Sequence, residues 1–96
     1  MAPNLYVAWE TLGSVLMDAN HNLDEAENCI RRACELSRAK DGREADVRML
    51  MALARVQIMR KDLQHAKVTV RKVQNRLDEL SDFEKSEFEE IRKRTR

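Results

Sequence analysis

From Leu63 to Leu80 the apolar residues fall at Leu63, Ala66, Val70, Val73, Leu77 and Leu80, in alternating steps of three and four. That spacing keeps returning to one side of a helix, so it predicts an amphipathic helix over residues 63–80. The same reading places four more helices. The first covers residues 5–19 and is closed by Asn20-His21-Asn22, because asparagine tolerates left-handed and turn geometry. The second starts at Leu23 or Asp24 and reaches Ala39, acidic in its first turn and basic in its later ones, as the helix dipole favours. Lys40-Asp41-Gly42 is the clearest break, with Gly42 placed to end that helix. A third helix spans residues 43–59, and Arg60-Lys61-Asp62 makes a short turn before the fourth. Ser81 stands three residues before Glu84, the spacing of a capping box, which opens a fifth helix over residues 82–94.

Composition sharpens this all-α picture. Two glycines and one proline leave few places for tight turns, and with 4% aromatics the core must be built from Leu, Val, Ile, Ala and Met. Eighteen basic residues against seventeen acidic ones give a net charge of +1, without the basic excess of a nucleic-acid platform. No apolar run approaches the roughly 20 residues that span a bilayer, and the amino end does not read as a signal peptide. Neither a nucleic-acid nor a membrane partner is therefore expected. Cys29 and Cys34, five residues apart on one helix, sit about 7.5 Å apart along its axis, too far for an undistorted disulfide. They read as two small buried or half-buried thiols, which points to a reducing, cytoplasmic setting.

The chain also resembles itself. Trp9-x2-Leu12-Gly13-x2-Leu16 is followed by Ala26-x3-Ile30-x2-Ala33; Leu50-x2-Leu53-Ala54-x2-Gln57 is followed by Ala66-x3-Val70-x2-Val73. In each unit one helix offers a large residue, a Leu and a small residue, and the next answers with Ala and a larger apolar residue one turn later. This pattern resembles the tetratricopeptide repeat, whose signature is Trp-x2-Leu-Gly-x2-Tyr, then Ala-x3-Phe, then Pro. The first unit matches at Trp9, Leu12, Gly13 and Ala26; the second keeps Leu53 and Ala66. The gap from Leu16 to Ala26 is one residue longer than in the family, and Ala26 lies 40 residues from Ala66 instead of about 34. The resemblance implies helix-turn-helix repeats stacked in an α-α superhelix: one domain over residues 1–96, with repeats over about 5–39 and 43–80 and a capping helix over 82–94. Pro3 falls where the closing Pro of a preceding repeat would stand, so the chain reads as part of a longer array.

No residue set asks for catalysis. His21 lies in a polar turn and His65 near the start of the fourth helix, with no nucleophile or acid placed beside either. Glu84, Glu87, Glu89 and Glu90 read as a solvated helix face flanked by Lys85 and Arg92, and the basic stretch 92–96 as a helix end complementing its dipole. No metal-ligand or phosphate-loop spacing occurs, so neither a cofactor nor an enzyme is expected.

The resemblance implies instead a protein-interaction scaffold whose partner lies along the inner face of the first helix of each repeat. That face takes Glu10, Ser14 and Met17 from the first helix and Arg48, Met51, Arg55 and Ile58 from the third. Family members that clamp a chaperone's carboxylate tail use Lys and Asn where this chain has Glu10 and Ser14, which argues against that ligand. Arg48 and Arg55 recur about 10.5 Å apart with Met51 between them, a pattern suited to a peptide carrying acids around an apolar residue. Alternatively the two arginines pair with Glu44, Asp46 or Asp18. The unprotected amino end, apolar at Leu5, Tyr6 and Val7, makes self-association into a homodimer the second functional reading. A regulatory or sensor segment of a larger signalling or transcription protein is the third.

Overall fold

The computed structural model of the protein describes residues 5–20, 22–41 and 45–95. These form five α-helices in chain order: α1 (Leu5–Asp18), α2 (Leu23–Asp41), α3 (Val47–Met59), α4 (Leu63–Gln74) and α5 (Asp82–Arg94). A 3-10 turn, Leu77–Glu79, joins α4 to α5. No strand occurs among the described residues, so the protein is all-α. Pro3, His21, Gly42 and Glu44, each singled out in the sequence, and Arg43 at the expected start of the third helix lie outside the described residues.

The turns follow from local chemistry. Asn20 and Asn22 take positive φ values of 49° and 52°, the left-handed geometry that asparagine tolerates. Lys61 does the same at 64° without that tolerance. It closes α3 in a Schellman arrangement: Lys61 N–H donates to the Ile58 carbonyl at 2.9 Å, and Asp62 N–H to that of Gln57 at 2.9 Å. The Asp62 side chain then caps α4 by accepting from the His65 amide.

Two sequence-predicted boundaries move. The third helix begins at Val47, since Asp46 caps it by accepting from Arg48 N–H at 2.8 Å. Asp46 N–H itself donates to Ser37 Oγ at 3.0 Å, tying the start of α3 to α2. The fourth helix does not run to residue 80. It stops at Gln74, and Arg76 leaves helical geometry at φ −131°, ψ 30°. There its guanidinium reaches the Ala45 carbonyl and Glu79. Leu77 and Leu80 still meet the core, one half-buried and one buried, but through the 3-10 turn. Their spacing of three suits that tighter winding as well as it suits an α-helix.

Helix α3 is the hub, packing against each of the other four. Its faces are buried almost throughout: Met49, Leu50, Met51, Ala52, Leu53, Ala54, Val56 and Gln57 all lie inside, whereas Arg48 and Arg55 are exposed. α1 pairs with α2 and α3 with α4 as helical hairpins. In the first hairpin Gly13 lets the backbones close. A Cβ there would stand 2.5 Å from Ile30 Cδ1 and 3.1 Å from the Ala26 carbonyl oxygen. In the second, Ala54 and Ala66 are both buried, and Thr69 Oγ1 donates to Gln57 Oε1 at 2.8 Å inside the interface. That bond satisfies two polar groups which would otherwise cost a desolvation penalty.

Candidate functional site

The first, third and fifth helices converge on a groove of about 480 Å³ that opens to solvent. Met17, Met59 and Ile91 supply its apolar lining, one from each helix. Its charged lining is Asp18 from α1, Arg55 from α3, and Glu87, Glu90 and Arg94 from α5. Met17 and Ile91 are nearly covered by protein, so their exposed edges form a floor; Met59 is half-buried and adaptable. Arg55 is held by Glu87 at 3.1 Å. Asp18, Glu90 and Arg94 make no ion pair among the described residues, so they remain available to a ligand.

The structure distributes the seven sequence-predicted residues unevenly. Ser14, Met17 and Arg55 line the groove together. Glu10 stands one turn behind Ser14, which donates to its carboxylate at 2.5 Å, so the two satisfy each other. Met51 is 4% exposed and belongs to the core, out of reach of a peptide. Ile58 is half-buried against the same core. Arg48 is turned to the start of α5, where its Nε donates to Glu84 at 2.6 Å.

The acid partners of the two arginines therefore come from α5. Asp46 approaches Arg48 only at 3.9 Å. Glu84 serves twice: it completes the capping box with Ser81 and takes the Arg48 pair. The Ser81 amide and the Arg48 guanidinium both bond the Glu84 carboxyl and hold its pKa below the usual value. Phe88 and Ile91 follow on the same helix and are buried. The acids-around-an-apolar-residue pattern that Arg48 and Arg55 suit is thus met by the chain's own fifth helix. Four of the nine lining residues, Glu87, Glu90, Ile91 and Arg94, are missed by sequence reasoning because α5 registers there as a cap with a solvated acidic face. Its two acids in one turn, Glu87 and Glu90, with Ile91 beside them, were the available signal.

A smaller cleft of about 230 Å³ lies on another side, where Arg31, Arg38 and Lys72 surround Cys34, Leu50 and Leu53. Arg31 is already engaged by Glu27 at 2.6 Å. Burial pushes the Cys34 thiol up to about 11, so it is protonated at neutral pH and a poor nucleophile. Among the described residues no group of three or more His, Cys, Asp or Glu is arranged to hold a metal, and no helix is long and apolar enough to cross a membrane.

No protein-family model, curated protein or solved structure matches the chain. Its functional reading rests on its own residues and packing.

Proposed function

We propose that this chain is a tetratricopeptide-like module that binds a segment of a partner protein in the groove between α1, α3 and α5. Two features support the repeat reading: the Gly13 contact with Ala26 and Ile30, and the Ala54–Ala66 pair buried at the corresponding place of the second hairpin. In this reading α5 stands beside α3 much as the first helix of a further repeat would. The observation that carries the binding role is the groove itself, an apolar strip of Met17, Met59 and Ile91 between charges that are only partly neutralised.

The ligand follows from that lining. An apolar side chain fills the strip, a basic residue beside it meets Asp18 and Glu90, and an acidic residue meets Arg94. Recognition of this kind needs only a few anchoring contacts in an otherwise permissive groove. A displayed library of random peptides, selected on the wild-type chain and counter-selected on Met59→Glu, tests the assignment. Enrichment of sequences pairing an apolar residue with a neighbouring Lys or Arg, lost on the variant, is the expected result. Equal recovery on both proteins would put the binding surface elsewhere.

A further inference from the structure

The solvent face of α1 is apolar along its whole length. Leu5, Ala8, Leu12, Val15 and Ala19 are all exposed, and they recur in steps of three and four. Leu12 is 47% exposed and Val15 is 58% exposed. Val7 and Thr11 extend this face, and Asp18 is the one charged residue of α1 at its edge. A seam of that spacing is what one helix presents to another in a coiled-coil contact.

The same chain shows what such a face does when a neighbour is present. Ala8, Leu12 and Val15 stand in the first unit where Met49, Leu53 and Val56 stand in the second, and those three are buried beneath surrounding helices. On α3 the neighbour includes α2; on α1 the equivalent place has no cover among the described residues.

We infer that this face is a homodimer interface in which α1 of one copy packs antiparallel on α1 of another about a two-fold axis near Leu12. The other end of the molecule offers no comparable stripe for head-to-tail stacking: α5 packs over α3 and α4 and commits Phe88 and Ile91 to its own core, which leaves Phe83 as its one large exposed apolar side chain among the described residues. A stripe of this kind on one helix is self-complementary about a two-fold axis, and such an isologous contact gives a closed pair. Size favours the antiparallel register. Centred on Leu12, it sets Leu5 against Ala19 and Ala8 beside Val15, large against small on either side of the central Leu12 pair. Charge favours it too: Asp18 then lies near Tyr6 of the other copy, whereas a parallel pair would bring the two Asp18 carboxylates together. The helix dipoles also oppose in this arrangement. One helix face a side is well below the usual stable interface, so association belongs to the micromolar range or weaker.

Sedimentation equilibrium from about 10 μM to about 1 mM, the span in which small interfaces associate, reads this directly. The weight-average mass is expected to climb from 11.2 kDa towards twice that value. Ala8→Lys and Val15→Glu, both at exposed helix positions where circular dichroism can verify folding, are each expected to stay monomeric. Mixing the two variants is expected to restore a dimer, because the antiparallel register alone sets the introduced lysine of one copy against the introduced glutamate of the other. A wild-type mass that stays at 11.2 kDa throughout, or single variants that dimerise as wild type does, would overturn the proposal. A mixture of monomeric variants that fails to pair would overturn the antiparallel register.

Discussion

Gly13 and Glu27 each depend on what a neighbouring helix brings to them. At Gly13 two effects of a methyl group oppose each other. Alanine raises helix propensity by about 1 kcal/mol, but crowding a packed interface costs about 1–3 kcal/mol. The neighbour is Ile30, fully buried and β-branched, so it has little room to retreat. Gly13→Ala is therefore expected to lose roughly 1 kcal/mol net in urea unfolding, and Ile30→Val in that background to recover part of it. Glu27 is buried between Arg31 and Arg60, and Arg60 also reaches Asp24. Burial raises the Glu27 pKa, but the hydrogen bonds from Arg60 and Arg31 together outweigh it and hold the carboxyl below its ordinary value. A depressed native pKa means that the stabilisation is complete above the unfolded value, near 4.3, and disappears as pH falls through the native one. Glu27→Gln should thus cost roughly 1–2 kcal/mol at pH 7, low in the range for charged hydrogen bonds because both arginines are partly exposed. The gap between variant and wild type should narrow below about pH 4. Denaturant titrations at both pH values check the sign.

Among the elements, α5 departs most from its reading as a simple cap. Arg48 and Arg55 lie seven residues apart on α3, and Glu84 and Glu87 three apart on α5, so the two ion pairs fix how the helices cross. Buried Phe88 and Ile91 anchor the helix, while the ion pairs orient it. The double change Arg48→Ala and Arg55→Ala is therefore expected to loosen α5 without melting the hairpins. Hydrogen exchange should quicken several-fold over residues 82–94 and stay unchanged in α1 and α2. Unaltered exchange in α5 would mean that Phe88 and Ile91 hold it unaided. This differs from the expectation drawn from α3 alone, in which both arginines await a partner.

At the level of the molecule, the radius of gyration is 12.6 Å, close to the about 12.5 Å of a compact chain of this length. Two hairpins and a fifth helix thus close around α3 before any extended superhelix develops. The groove and the apolar face of α1 lie on different sides of that helix and meet at Asp18, so substitutions away from Asp18 separate the two proposals. Val15→Glu should abolish pairing while leaving selected peptides bound, and Met59→Glu should do the reverse. A groove variant that also lost the dimer would show one shared surface.

Much of the fold was legible in residue order because it is set locally. Apolar spacing places five helices, the Ser81–Glu84 pair opens α5, and Asn20 with Asn22 turns the chain, each needing only neighbours a few residues away. The small residues at Gly13 and Ala26 mark a close helix crossing through their recurrence in the repeat pattern. Tertiary structure decided what depends on distant partners. Arg76, drawn to the Ala45 carbonyl, ends α4 early, although the apolar stripe continues to Leu80. Met51 and Leu12 are both apolar helix positions, yet one is buried and the other exposed because α3 has helices around it and α1 has an open side. Of the seven residues read as a binding face, Ser14, Met17 and Arg55 share the groove. The identity of its other wall, and the acids that claim Arg48 and Arg55, depended on where α5 came to rest, and that is fixed by packing of Phe88 and Ile91 against a core assembled from the whole chain.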